Sequence, residues 1–320
     1  MQFLMRRLFT TWVGVLLCFA PHASFAASSS SAPSHISVPL WVDPPLQELT
    51  PRNARATLNG KPAPILRVLG PSSDVMILVV LDLTGDISLV DAAKQALTTQ
   101  IKDLPQNAWV GLLHAQDGLS VIADPTPNRK KINDAIQALP ATGKAGLLDT
   151  VASVARLADG ILRNSKVRVA ILYVTDSAIA NYREDYTNPV INSSDPHDLS
   201  RRFPEALIQE KISALQLRIE SDEAPLFIAH LRYRSDRMDQ AYQNGLKILS
   251  EFTAGYSWFC RSQSEISDII QRDFAYIRSS WLVTIGVPKH TRSDVQVRLK
   301  LPEHMQARIA YRARLHIKTK

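Results

Sequence analysis

Asp82-Leu83-Thr84-Gly85-Asp86 sets two carboxylates and a hydroxyl within five residues, and a further carboxylate, Asp176, follows a second apolar run. Carboxylate and hydroxyl oxygens are hard donors. Gathered at one point they suit a small divalent cation, Mg2+ or Mn2+, which takes oxygen ligands in near-octahedral geometry and keeps several waters. A plainer reading uses the same residues. Asp86 or Ser88 can cap a following helix, with Asp91 three positions after Ser88 completing a capping box. Capping does not exclude ligation by the others.

Other chemistry has little support. The eight histidines are scattered, and no H-E-x-x-H or C-x-x-C spacing, glycine-rich phosphate cradle or G-x-S-x-G turn occurs. His114 and His230 fall near strand ends and read as scaffold residues. His197 lies among the turn formers Ser193 to Asp198, a second cation site or a solvated loop. Cys260, beside Trp258 and Phe259, reads as buried and inert. With no recognisable nucleophile or base, the chain reads as a non-enzyme.

The elements that must position the carboxylates follow from hydrophobic patterning. Val75 to Leu81 and Val167 to Thr175 are continuous apolar runs, the pattern of strands buried on both faces, and Pro225 to Leu231 is a third. Helices are predicted over 88–101, from Leu147 to Ile161, and over 205–219, 237–252 and 265–279. Trp109 to His114 and Leu119 to Ala123 form a hairpin around Gln116-Asp117-Gly118. Strands separated by helices imply parallel crossovers, and so a Rossmann-like, open, mainly parallel α/β sheet with helices on both faces. In such sheets ligands bind beyond the carboxyl ends of the strands. Asp82 and Asp176 both sit there.

The flanks differ. Ile36 to Val68 and Trp281 to Ile317 alternate apolar and polar residues without helical spacing, which predicts one β-rich unit appended to the α/β core. The expected division is residues 36–73 as an N-terminal β flank, 74–280 as the α/β domain and 281–320 as a basic β segment packing with the first flank. Ahead of these, Arg6 and Arg7 precede the apolar run Leu8 to Ala20, and Ser24-Phe25-Ala26 offers a small-x-small end. That is the pattern of a secretory signal peptide over 1–26, too short to span a bilayer, with 27–35 as a flexible leader. A mature chain so produced is periplasmic or secreted, has no transmembrane helix and retains Cys260 as its single cysteine. At 45% hydrophobic residues the chain is too apolar to be disordered throughout, and two cysteines cannot build a disulfide scaffold.

The order of elements, the Asp82-Leu83-Thr84-Gly85-Asp86 loop and the Tyr173-Val174-Thr175-Asp176 strand end resemble a von Willebrand factor type A domain. The lead from Pro45 to Val68, the stretch Leu249 to Phe259 and the run Ile269 to Pro288 resemble the bacterial exported proteins described as VWFA-related. The resemblance extends over essentially the whole mature chain. It implies an adhesion or scaffolding fold with a metal-ion-dependent adhesion site, where a D-x-S-x-S loop, a threonine and a third-loop aspartate hold Mg2+ and a ligand carboxylate completes the coordination. Carried over, Asp82 matches the first aspartate, Thr84 the first serine and Asp176 the third-loop aspartate, while Asp86 replaces the second serine. The threonine position falls on Ala145, which cannot ligate, so the site is degenerate; Asp176 is followed by Ser177 where glycine is usual. Three readings follow: a weakened metal site, no metal, or Lys144 as counter-ion to the carboxylates.

Ala178 to Phe203 is long and polar for an internal loop. It is expected to drape the crevice, with Tyr182, Tyr186, Arg201 and Arg202 shaping ligand choice; an uninvolved excursion is the alternative. The net charge of +7 is concentrated in Lys289 to Lys320, where nine Lys and Arg face two acids. Strand alternation there predicts Arg308, Tyr311, Arg312, Arg314, His316 and Lys318 on exposed faces, as a charge-guarded edge or a contact for an anionic surface. The rest of the mature chain is net acidic, which argues against nucleic acid. The expected function is binding of a protein or other macromolecular partner in the envelope or outside the cell, with an assembly subunit carrying a dead ion site as the alternative.

Overall fold

A computed structural model describes residues 35–46, 48–182, 205–289, 291–301 and 307–317. The predicted signal segment and leader, together with Tyr186, Arg201, Arg202, His197 and Lys318, lie outside these residues. The chain first lays down β1 (His35–Asp43), β2 (Arg55–Leu58), β3 (Lys61–Ala63) and β4 (Ile65–Leu69). The α/β part follows: β5 (Val75–Asp82), α1 (Ile87–Lys102), β6 (Ala108–His114), β7 (Ser120–Thr126), α2 (Arg129–Ala138), α3 (Leu147–Asn164) and β8 (Arg168–Thr175). It continues with α4 (Glu205–Ile219), β9 (Leu226–His230), α5 (Arg237–Phe252), β10 (Ser257–Phe259) and α6 (Ile266–Ser279). The chain closes on β11 (Trp281–Gly286), β12 (Asp294–Lys300), β13 (Arg308–Tyr311) and β14 (Arg314–His316). Among the described residues no helix is long and apolar enough to cross a membrane.

The central sheet has six strands in the order β10-β9-β8-β5-β6-β7, parallel except for β7, which returns antiparallel beside β6. Alternate residues of β5 feed two cores. Ile77, Val79 and Leu81 pack with Leu97 of α1, Ile136 of α2 and Phe274 of α6. Leu78 and Val80 pack with Val151 of α3, Ile212 of α4 and Leu246 of α5. A strand covered on both sides must be apolar at every position, which is why these strands read as unbroken apolar runs. The two short elements β10 and α2 escaped the sequence pattern.

The flanks interleave into a third core. β13-β1-β11-β4 form one antiparallel sheet and β14-β12-β2-β3 another. Ile36, Val38 and Leu40 of β1 meet Val283 and Ile285 of β11, and Val295, Val297 and Leu299 of β12, between the two sheets. The expected appendage is thus a pair of sheets in which both ends of the chain share every layer. Two expectations for this region are overturned. Tyr311 turns inward beside Ile309, packs against this core and accepts the Leu299 amide on its hydroxyl at 3.0 Å. Arg312 does not project outward; it lies in the two-residue break between β13 and β14 and is buried. Its guanidinium donates to the carbonyls of Glu220 and Asp222, just beyond α4, and stacks 4.3 Å from the Phe252 ring centroid. A charge that finds carbonyl acceptors and an aromatic face in the domain beneath overrides strand alternation.

Candidate functional site

The chain leaves β5 for β6 on one side of the sheet and later enters β8 on the other. The carboxyl ends of β5 and β8 therefore frame a topological switch point, where open α/β sheets form their crevice. Asp82 and Thr175 are cross-strand neighbours there. The predicted residues are brought together, but in a closed arrangement. Asp176 receives three donors from the 82–86 loop: Oδ1 accepts the Thr84 amide at 2.5 Å and the Thr84 hydroxyl at 2.9 Å, and Oδ2 accepts the Asp86 amide at 3.2 Å. Asp86, not Ser88, stands at the N-cap position of α1, but its side chain makes no capping hydrogen bond to the helix amides; its Oδ1 instead accepts the Ser88 hydroxyl at 2.8 Å. That hydrogen bond is the main reason the Asp86 carboxyl is held below its ordinary range.

Asp82 is fully buried. Its Oδ1 accepts the Gly146 amide at 2.8 Å and its Oδ2 the Thr175 hydroxyl at 3.0 Å. Burial pushes its carboxyl up to about 6, against the pull of those donors. Gly146 is required for this approach, because a Cβ there would sit 1.7 Å from the Ala115 carbonyl oxygen at the end of β6. Behind Asp82 runs a chain of hydroxyls. Thr175 Oγ1 lies 2.7 Å from Ser177 Oγ, Ser177 Oγ 2.9 Å from Tyr242 Oη, and Tyr242 Oη 2.7 Å from Tyr182 Oη. The Leu148 amide donates to Tyr182 Oη. Since Thr175 donates to Asp82, each hydroxyl can donate in turn toward the carboxylate, from Tyr182 through Tyr242 and Ser177. The serine standing in place of the usual glycine is a link in this chain.

Two expectations change, those for Tyr182 and Lys144. Tyr182 is buried and its hydroxyl is engaged in that chain, so it anchors the root of the 178–203 segment and offers no face to a ligand. Ala145 is buried within the α3–α5 core, and its amide donates to the Asn181 carbonyl at 2.8 Å. That pairing draws the 143–146 loop onto the Asn181–Tyr182 segment. Lys144 is exposed and, among the described residues, forms no ion pair with Asp82, Asp86 or Asp176. The cation present is Arg232, whose Nη1 lies 3.3 Å from Asp86 Oδ2. It stands two residues past β9 and was not singled out from the sequence. His230 places it. The ring is wholly buried, which pushes its pKa down to about 4 and keeps it neutral. With Nε2–H donating to the Ser177 carbonyl at 2.9 Å, Nδ1 is left to accept the Arg232 amide at 3.3 Å. His230 is thus a scaffold residue, and what it holds is the crevice wall.

A Mg2+ or Mn2+ site needs oxygen donors left over for the ion. Here Asp82 is enclosed, both oxygens of Asp176 are engaged by the loop, position 145 supplies no hydroxyl, and Asp86 faces a guanidinium. Among the described residues no group of three or more His, Cys, Asp or Glu is placed to hold a metal ion. As arranged, the donor set does not fit a divalent cation.

The sheet order and the crevice at its switch point define the class: an open, mainly parallel α/β domain with helices on both faces and two appended antiparallel sheets. No family model matches the chain, and neither does any curated protein. Solved structures do. A von Willebrand factor type A protein from Catenulispora acidiphila is similar at 12% identity over 91% of this chain and 74% of its own, with a TM-score of 0.44. The conserved hypothetical protein BatB from Bacteroides thetaiotaomicron matches at 12% identity over 63% of this chain and 98% of its own, TM-score 0.38. The vWF domain of the type V pili tip protein Mfa5 from Porphyromonas gingivalis matches at 11% identity over 65% and 96%, TM-score 0.44.

Proposed function

We propose that this chain is an exported, non-enzymatic binding protein that takes a macromolecular partner at the carboxyl-end crevice above Asp82 and Asp176. The observation that carries this reading is the composition of the rim. Ile87, next to Asp86, is 74% exposed, and Tyr233, next to Arg232, is 46% exposed. An exposed aliphatic side chain beside Asp86 and an exposed aromatic one beside the arginine that pairs with it are the mixture found in protein-binding surfaces. The hydrogen-bonded carboxylates underneath hold that rim in shape, as a preorganised site requires. The second reading, an assembly subunit working through its β unit, draws on the way both chain ends are woven through two sheets whose outer strands are β13, β4, β14 and β3.

Capture on immobilised protein from an envelope extract separates the two. Ile87→Asp and Tyr233→Ala should each remove the retained partner while leaving the free energy of unfolding within about 0.5 kcal/mol of wild type. Capture that survives both substitutions, and is lost when β3 or β14 is altered, would place the function on the β unit instead.

A further inference from the structure

The carboxylates of the crevice are provided for without an added ion, and one cation at its mouth is not fully used. Three neutral donors hold Asp176, two hold Asp82, and Arg232 faces Asp86 through Nη1 alone. A guanidinium carries five N–H donors in a planar fork. Among the described residues the remaining donors of Arg232 meet no hydrogen-bond acceptor, and its side chain is 54% exposed. Its backbone is anything but loose: the neutral His230 ring fixes the Arg232 amide, and the neighbouring Leu231 amide donates to the Thr175 carbonyl at 2.8 Å. The fork is therefore held at its base, tethered to Asp86 on one side and open to solvent on the other.

We propose that Arg232 is the resident cation of this crevice and that its outward edge receives a carboxylate side chain of a protein partner, so that recognition proceeds without a divalent metal. This rests on the proposed binding function and names the chemistry of the group bound. An arginine–carboxylate contact is charge-assisted and admits two parallel hydrogen bonds, which gives the partner's acid a set direction. Asp86 serves as the internal reference for that direction, since its Oδ2 keeps Nη1 turned inward. Such a site differs in kind from a metal site: its cation cannot be chelated away, and its affinity falls with ionic strength. Lys144 lies on the same rim without an ion-pair partner among the three carboxylates, and is not needed for the contact.

Two measurements on the purified full chain test this. First, water-proton relaxation during Mn2+ titration should show no saturable site, and the thermal midpoint should be the same in EDTA and in millimolar Mg2+. Second, fluorescence anisotropy with a labelled oligo-glutamate peptide in EDTA should show saturable binding that Arg232→Gln weakens by about tenfold or more. Arg314→Gln, which removes an exposed arginine from the basic β unit, should leave it unchanged, and Arg232→Lys should recover only part of the loss. A saturable Mn2+ site, peptide binding that requires Mg2+, absence of peptide binding, or equal binding by wild type and Arg232→Gln would each overturn the proposal. If partner capture from an extract persists in Arg232→Gln yet is lost in Ile87→Asp, this inference fails while the binding function stands.

Discussion

The two ends of the central sheet both bury ionisable groups, and they treat them in opposite ways. At the amino end, Arg168 opens β8 with its guanidinium enclosed by carbonyls: Nη1 donates to Ser280 and Arg278, Nη2 to Pro71 and Ser73. Close by, Glu223 precedes β9 and accepts the Ser37 amide of β1 at 2.8 Å, while Arg163 bridges Asp159 at 2.8 Å and Glu223 at 3.4 Å. Arg312 adds its own carbonyl contacts from the β unit. Glu223 and Arg312 join the α/β domain to the appended sheets, and the polar atoms of Arg168, Glu223 and Arg312 are turned inward. At the carboxyl end the carboxylates are held by amides and hydroxyls, and Arg232, the cation that pairs with one of them among the described residues, keeps donors facing water. The difference teaches where to look for function. Enclosed charge ties the structure together, and the guanidinium with an open edge is where the proposed partner contact is placed.

Substitutions at the two ends should therefore separate stability from binding. Arg168→Ala should cost most, about 4 kcal/mol in denaturant unfolding, because several buried carbonyls lose their donor together. Partner capture by the fraction that remains folded should be normal.

Glu223 comes next and is read through pH. Burial pushes its carboxyl up to about 7 from 4.5, with Asp159 adding to the rise and Arg163 and Ser37 opposing it. Between those values the folded state holds a proton that the unfolded state has released, so the contribution of Glu223 to stability falls as pH rises from about 4.5 to 7, while the buried neutral His230 contributes the opposite slope. The Glu223 contribution spans about 3 kcal/mol. The difference in stability between wild type and Glu223→Gln should therefore fall by that amount across this window; a difference that does not change with pH would show that the group titrates normally.

Tyr242→Phe interrupts the hydroxyl chain between Ser177 and Tyr182 and should cost about 1–2 kcal/mol. Because Tyr182 roots the 178–203 segment, faster proteolysis of that segment should accompany the loss. Arg232→Gln should be the mildest, within about 0.5 kcal/mol by thermal unfolding, since its ion pair with Asp86 is exposed and screened. Its effect should appear in binding alone.

Much of this was legible in the sequence, and the failures have physical reasons. Apolar runs ending in Asp82 and Asp176 placed both carboxylates at one crevice because a doubly covered strand leaves no other register. The clean alternation of Val295, Val297 and Leu299 likewise exposed the β unit. Arg232 was not legible. It is 146 residues from Asp86, and it meets that residue because β9 stands beside β8, a pairing no local pattern announces. Tyr182 reads as a loop aromatic, yet it turns inward because Tyr242, one helix away, supplies an acceptor for its hydroxyl. Arg312 fits strand alternation and still points inward, since the break between β13 and β14 resets the period. His230 was read as scaffold, and the structure adds what it holds in place. Charge partners brought from distant strands are what a sequence conceals most completely.

The most direct test of the receptor at the carboxyl end is capture by the immobilised protein from an envelope extract in EDTA, comparing wild type with Arg232→Glu. The account predicts that wild type retains its partner in the absence of any divalent ion and that the charge reversal releases it. Retention by Arg232→Glu equal to wild type, or retention by wild type only after Mg2+ is restored, would contradict it.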